Sequence, residues 1–231
     1  MRNLILVWVV LNFCSCAFVD QKIALTYDPS VNATGGSGEL LIRSLVVSHT
    51  AVITCRFKRL FIDYHVALLM TSLVFVSKAV EMQSLSQKSG GLWIIGTVKN
   101  TYGMRTADVV TDNNIGDWVV GAFSQELRTA GYDVKPVTQL PTGVTKGMDV
   151  TIIRVFVDQD AGFWSVGAIS DLQFNVDIWK NGVKVKTINI AAKGDDRSMV
   201  GSATTKALSL KKALQAAMQQ AIPEIITTVE R

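Results

Sequence analysis

From Gly91 onward, apolar and polar residues follow patterns that predict strands and helices. Every second residue from Leu172 to Ile178 is apolar, which is the period of a half-buried strand. Asn181-Gly182 follows, a dipeptide typical of type I′ hairpin turns. Further strands are predicted over 92–99, 132–137, 149–157 and 183–191, with loops over 100–105, 158–162 and 193–197. Pro136 restricts its strand to a sheet edge or a strand end.

Two stretches of this region show the apolar period of an amphipathic helix. The first follows Asp112, a candidate N-cap, and ends at Gly131. The second starts at about Ala203, with Lys206 off its apolar stripe, and Pro223 is expected to end or kink it. The predicted order is therefore β-α-β-β-β-β-α. This order predicts an α+β domain over 91–231, with a mostly antiparallel sheet and two amphipathic helices packed on one face.

Residues 40–90 do not follow either period. They contain the apolar run 66–77, which is short for a membrane-spanning helix, and both histidines of the chain, His49 and His65. Two interpretations stay open: a genuine insertion with its own buried helix or strands, or a segment produced by a local frameshift in the gene. We favour the frameshift slightly and place no site in this segment.

The first residues have the features of an export signal. Arg2 precedes an apolar run over 4–11, which is too short to span a bilayer and has the length of a signal-peptide core. The run ends at Cys14 and Cys16 rather than at an Ala-x-Ala site. This arrangement resembles a bacterial lipoprotein signal, with residues 1–15 removed and the next cysteine lipidated. Cys16 is the better acceptor because Ser15 before it is small, although Phe13 stands where such signals usually carry leucine.

Residues 16–39 are predicted to form a tether with a short strand at 21–27 and a Gly- and Ser-rich loop. Ala17, rather than aspartate, follows Cys16. By resemblance to the enterobacterial sorting pattern, this favours the outer membrane, with the protein facing the periplasm.

Composition narrows the function further. The 231 residues have a formal net charge of +4, and 18% are charged, so nothing indicates a nucleic-acid partner. Three cysteines and two histidines are too few for a multi-ligand zinc or iron–sulfur site. Residues 91–231 contain neither residue type, which removes imidazole-activated nucleophiles and thiol chemistry. We therefore expect no catalytic residues, no metal and no cofactor.

A few residues remain as candidates for contact or chemistry. Trp118 lies one position off its helix stripe, and Phe163 and Trp164 follow an Asp-rich turn, so these three form a possible contact surface. Asp158 and Asp160 begin like a calcium loop but lack its later ligands, which makes a solvated turn the simpler interpretation.

The orderly region resembles the YajG-like family of bacterial envelope lipoproteins. The resemblance rests on IIGTVKN (94–100), DWVVGAFSQELRTAGYDV (117–134), the hairpin at Asn181-Gly182 and the closing Ala-rich helix, supported by CAFVDQKIALTY (16–27). It covers about two thirds of the chain, and residues 40–89 do not match. The resemblance implies an outer-membrane lipoprotein with an α+β domain and transfers one residue, Cys16, as the lipid attachment point.

Three functions compete on these observations. The first is a non-enzymatic, lipid-anchored accessory protein that binds another envelope component, protein or glycan. The second is a module that binds a small ligand or lipid through its aromatic residues. The third, a cell-wall hydrolase using a carboxylate pair such as Asp158 and Asp160, is the least favoured.

Overall fold

A computed structural model describes residues 19–46, 86–88, 90–100, 102–161, 165–199 and 202–231. The elements in chain order are β1 (Gln21–Lys22), β2 (Glu39–Val46), β3 (Ser86–Gln87), β4 (Trp93–Lys99), β5 (Arg105–Thr111), α1 (Ile115–Thr129), β6 (Asp133–Pro136), β7 (Lys146–Ala161), β8 (Val166–Lys180), β9 (Val183–Ser198) and α2 (Ala203–Glu230).

One sheet contains all of these strands, and β7 is its centre. β8 pairs antiparallel along the full length of β7, and β9 pairs antiparallel with β8. On the other edge of β7, β2 lies parallel to its first half and β4 meets its second half at Gly96 and Val157. β6 pairs parallel with β2, β5 antiparallel with β4, β1 parallel with β5, and β3 antiparallel with β4.

Both helices pack on the same face of this sheet. Phe123 of α1 meets Phe174 of β8 edge to face, with ring centroids 5.6 Å apart. Ser209 of α2 lies 2.7 Å, Oγ to Oγ, from Ser170 of the same strand. The core is therefore the layer between the helices and one sheet face, and the other face is open and mostly polar.

A β-bulge in β7 keeps this division over a long strand. Val150 and Ile152 are buried before the bulge, and Val155 and Val157 are buried after it. Side chains alternate between the two faces of a strand. The extra residue between Ile152 and Arg154 therefore moves the buried side chains from even-numbered to odd-numbered positions. The bulge thus corrects the register of the apolar positions.

The α+β class and the two helices are confirmed, and the sheet is mixed, because four of its pairings are parallel. The order from Gly91 has one strand more than predicted, β5, so it is β-β-α-β-β-β-β-α. Asn181 and Gly182 both have positive φ, as the predicted hairpin turn requires. β6, which contains Pro136, lies at the end of the strand order, as expected.

Four local predictions were wrong. The N-cap of α1 is Asn114, whose side chain accepts from the Gly116 and Asp117 amides, whereas Asp112 forms an ion pair with Lys22. The alternative that Pro223 ends α2 was wrong, because α2 continues to Glu230, where Ile225 and Val229 remain buried. The alternative of a kink stays a prediction. The other two errors concern strand lengths, at the ends of β7 and β9.

β7 and β9 both extend through segments predicted as loops. Residues 158–161 continue the ladder with β8. In β9, Gly194 is a site of close approach rather than a turn. A Cβ atom there would lie 2.3 Å from the Ser209 carbonyl oxygen of α2. The glycine allows the helix to pack directly on the strand.

Both ends of the segment predicted to be anomalous, residues 40–90, pair with other strands of the sheet. Residues 40–46 belong to β2, which lies between β6 and β7, and Leu40 and Ile42 are fully buried. Ser86–Gln87 pairs with β4. The strands at 21–22 and 39–46 therefore belong to the same sheet as residues 91–231. Residues 47–85 lie outside the described residues, and so do the signal segment, Cys14 and Cys16.

Candidate functional site

A cleft of about 270 Å³ lies on the open face of the sheet. Its floor is built from β2, β7 and β8. Arg43 lies directly opposite Asp149 in the parallel pairing of β2 and β7, so both side chains project from one face. The guanidinium donates from Nε to Oδ1 at 2.7 Å and from Nη2 to Oδ2 at 2.8 Å. Trp179 donates from its indole Nε1 to the same carboxylate at 3.1 Å.

Asp149 is nearly buried, whereas a quarter of the Arg43 side chain is exposed. The two-point ion pair and the indole bond together supply a fixed set of partners for the buried carboxylate. The guanidinium is thereby held in one orientation with one edge toward the cleft. This is a rigid polar floor beside an indole surface.

The loop between β6 and β7 forms the wall of the cleft. Gln139, Leu140, Pro141, Thr142, Gly143 and Val144 line it together with Gly182 of the hairpin turn. The loop is fixed at both ends. Val137 donates to the Ile42 carbonyl at 2.8 Å, and the Gly182 amide donates to the Val144 carbonyl at 2.8 Å. A Cβ atom on Gly182 would lie 2.9 Å from the Gly143 Cα, so this close contact requires glycine.

Neither histidine nor cysteine lines the cleft, and its one carboxylate is already neutralised by Arg43. The rest of the cleft lining consists of hydrogen-bond donors, one hydroxyl group and apolar surface. Such a lining suits recognition of a carbonyl, carboxylate or hydroxyl group on a partner. In the part of the chain that the structure describes, no group of three or more His, Cys, Asp or Glu could hold a metal ion.

The N-terminal segment, residues 19–31, packs against the layer formed by the two helices. Ile23 and Leu25 are buried in the core. Glu126 of α1, itself 1% exposed, receives the Tyr27 hydroxyl and the backbone amide of Ser30, the latter at 2.7 Å. Burial and this carboxylate raise the pKa of Tyr27. Residues 23–31 are therefore part of the folded body rather than a loose tether.

Trp118, predicted as part of a contact surface, belongs to this buried arrangement. It is 8% exposed, and its indole Nε1 donates to the Thr26 carbonyl at 3.0 Å. The stripe of α1 is wider than the sequence pattern indicated, because the N-terminal segment covers the flank on which Trp118 lies. Trp118 therefore holds the segment and is not free to contact a partner. Phe163 and Trp164, the other two contact candidates, lie outside the described residues.

Lys206, predicted to lie off the apolar stripe of α2, is 1% exposed. Its amine donates to the Gln21 side-chain oxygen at 2.8 Å and to the Gln159 side-chain oxygen at 3.0 Å. Burial lowers the pKa of the Lys206 amine. The helix pattern alone could not predict this burial, since it is the distant strands β1 and β7 that cover this position.

A third polar cluster fixes the C-terminus of α2. Glu230 accepts the Tyr132 hydroxyl at 2.7 Å and the Lys146 amine at 2.8 Å. These hydrogen bonds, with Lys146 the larger cause, lower the pKa of Glu230 to about 2. The cluster joins α2 to the start of β7 beside the loop that lines the cleft.

Asp158 and Asp160, the carboxylates considered for hydrolysis, are paired with cations. Asp158 receives Lys99 Nζ at 2.5 Å and Thr97 Oγ1 at 2.9 Å, and Asp160 receives Arg197 Nη2 at 2.5 Å. These bonds join β7 to β4 and, across β8, to β9.

The cleft residues were missed by sequence reasoning. Arg43 stands in a segment set aside as anomalous, and Asp149 and Trp179 were treated as strand residues. The one sequence feature that could have indicated the cleft is the charged residue at position 149, directly before the apolar run of β7.

No family model and no curated protein matches the chain. Among solved structures, a Xanthomonas campestris protein of the family DUF330 aligns at 10% identity and a TM-score of 0.49, covering 92% of this chain and 97% of that one. A candidate lipoprotein from Caulobacter crescentus aligns at 11% identity and a TM-score of 0.25, covering 40% and 69%. Likeness at these levels carries no function from either protein to this chain.

No helix in the described ranges is both long enough and apolar enough to cross a membrane.

Proposed function

We propose that this chain is a bacterial envelope lipoprotein, anchored in the outer membrane by lipid on Cys16 and facing the periplasm. The observation that carries the proposal is the sequence of the first sixteen residues, a short apolar signal ending at a cysteine. Several acyl chains on one cysteine provide firm attachment, since each buried methylene contributes about 0.8 kcal/mol.

The attached body acts as a non-enzymatic accessory protein. Among its described residues, the cleft of Arg43, Asp149 and Trp179 offers fixed donors and no activated nucleophile. The function that fits is recognition of another envelope component, protein or glycan, whose polar group reaches the guanidinium.

Membrane attachment is tested by following Cys16→Ser and the parent protein through cell fractionation and metabolic labelling with palmitate. The proposal predicts that Cys16→Ser loses the label and that its membrane association falls well below that of the parent protein. Cys14→Ser is the matched control and should retain both. Palmitate failing to enter the parent protein, or Cys16→Ser remaining with the membrane as firmly as the parent protein, would contradict the anchor.

Recognition by the cleft is tested by photo-crosslinking from position 142 in the cleft wall, with position 187 on the exposed side of β9 as the control. A reproducible adduct from 142 only, lost when Leu140→Trp fills the cleft, is the expected result. Equal adducts from both positions would contradict recognition at the cleft.

A second function, binding of a small ligand or lipid, is supported by the cleft volume and by Trp179 at its floor. Titration of the lipid-free protein with envelope metabolites distinguishes the two functions. A fluorescence response that Trp179→Phe removes would favour the ligand-binding module over the accessory role.

A further inference from the structure

Strand directions bring several chain segments to one end of the sheet. β4 runs parallel to β7, and β9 also runs parallel to β7 because each is antiparallel to β8. β4 and β9 therefore finish at the same end, where the turn from β4 to β5 also lies. We call this end, which bears residues 19, 102–105 and 199, the anchor end.

Large apolar side chains are exposed at the anchor end. Tyr102 is 85% exposed and Met104 60% exposed in the turn between β4 and β5, and Met199 is 90% exposed just beyond β9. Val19, the first described residue, is 63% exposed. These side chains share one end of the sheet, and exposed apolar surface of this kind commonly marks contact with a partner or a membrane.

The N-terminal segment reaches the body at this same end. β1 runs parallel to β5, so the residues that precede Gln21 come from the side at which β5 begins. Asp20 is held there, since it accepts the Asp108 amide at 3.0 Å and the Lys88 amine at 2.7 Å. Cys16 is three residues before Val19, and a chain of three residues spans at most about 11 Å. Lipid on Cys16 therefore places the bilayer within reach of the exposed apolar groups.

The basic side chains that the structure describes at this end are already paired. Arg105 and Lys88 are both paired with Asp108, and Arg197 is paired with Asp160. Basic side chains already neutralised in this way contribute little affinity for anionic lipids. The apolar side chains are the groups whose transfer from water into the interface is favourable.

We propose that the anchor end is a membrane-docking surface, with Tyr102, Met104 and Met199 inserted into the interfacial region of the bilayer that holds the lipid on Cys16. This inference rests on the proposed lipid anchor and adds an orientation to it. The cleft wall lies near Gly182, at the hairpin end of β8 and β9, so docking at the anchor end directs the cleft away from the membrane.

The first experiment measures the depth of two positions in the mature, full-length protein. An environment-sensitive dye is attached to Tyr102→Cys or, as the matched control, to Val183→Cys, in a Cys55→Ser background. Val183 is 63% exposed and lies at the opposite end of β9. The protein is reconstituted into vesicles of phosphatidylethanolamine and phosphatidylglycerol in a 3:1 ratio. The dye at 102 is expected to shift to the blue and to be quenched by brominated lipid, whereas the dye at 183 remains as in water.

The second experiment removes the lipid. Cys16→Ser protein is tested for sedimentation with the same vesicles, alone and with Tyr102→Ser, Met104→Ser and Met199→Ser combined. The combined change is expected to lower the partition coefficient roughly tenfold. Val183→Ser with Val185→Ser, at the hairpin end, should leave it unchanged.

The outcomes separate the two proposals. If mass spectrometry finds the lipid on Cys16 and the dye at 102 stays in water, the docking surface is overturned and the anchor stands. If no lipid is found and the Cys16→Ser protein does not sediment, both are overturned. Equal loss of sedimentation in the two sets of variants also overturns the docking surface.

Discussion

The two helices each bury one charged side chain against the N-terminal segment, and they do so differently. Glu126 of α1 and Lys206 of α2 are both 1% exposed. The carboxylate receives a tyrosine hydroxyl and the backbone amides of Ser30 and Val31. The amine is bonded to two neutral side-chain amides, those of Gln21 and Gln159.

This difference indicates unequal roles. The amides of Ser30 and Val31 depend on Glu126 for an acceptor, so the carboxylate holds a turn of the backbone in place. The oxygens of Gln21 and Gln159 belong to side chains, which can reorient. Glu126 should therefore determine whether the N-terminal segment is attached, whereas Lys206 mainly fills space at its start.

Of the four substitutions, Glu126→Ala should lower the free energy of unfolding the most. Two backbone amides and one hydroxyl lose their acceptor in a partly buried position, so we expect the free energy of unfolding to fall by about 3 kcal/mol. Urea unfolding of the unlipidated Cys16→Ser protein provides the measurement. Gln125→Ala, one position earlier on the exposed side of α1, should change it by less than about 0.5 kcal/mol. Equal changes in the free energy of unfolding for the two variants would mean that Glu126 does not hold the N-terminal segment in place.

Trp118→Phe should have an intermediate effect on the same segment. The substitution removes the indole bond to the Thr26 carbonyl and keeps an aromatic ring, so a loss of about 1–2 kcal/mol is expected. Hydrogen exchange should show faster exchange in residues 23–31 and unchanged exchange in β8. Uniform acceleration across the sheet would argue for a general packing defect instead.

Lys206→Met should change stability at neutral pH by less than about 1 kcal/mol, because methionine keeps the long side chain and no carboxylate partner is lost. The pH dependence is the sharper test. The pKa of Lys206 is lowered in the folded state, so the unfolded chain binds more protons between that lowered value and 10.5. Wild-type stability should rise with pH through this interval relative to Lys206→Met. Parallel curves for the two proteins would contradict a buried, protonatable amine.

Glu230→Gln should give the smallest effect at neutral pH, since its carboxylate is partly exposed. The folded pKa of Glu230 is about 2, against 4.5 ordinarily, so its contribution is complete above about 4.5 and is lost as the pH falls toward 2. The stability difference between wild type and Glu230→Gln should shrink over that interval. A difference that stays constant down to pH 2 would remove the ionic role of Glu230.

Local patterns predicted the parts of the fold that depend on neighbours in sequence. The period of 3.6 found both helices, and the alternation around Phe174 with Asn181-Gly182 found the long hairpin of β8 and β9. Strand ends were poorly predicted. Gly194 has the composition of a turn but serves as a contact point for α2, which only the packed helix reveals.

The features that depend on distant segments could not be predicted. Trp118 and Lys206 are buried because residues from 19 to 27 return to cover the helices, and a helix pattern contains no information on that cover. The cleft depends on the parallel register that places Arg43 opposite Asp149. Sequence spacing does not set this register, since more than a hundred positions separate the two residues.

The most direct test of the central claim, that lipid on Cys16 holds this body at a membrane, is the mass of the N-terminal peptide of the mature protein. We expect a peptide that begins at Cys16 and carries a diacylglyceryl group on sulfur together with an acyl group on the amine. A peptide that retains residues 1–15, or one that begins elsewhere with an unmodified cysteine, would contradict it.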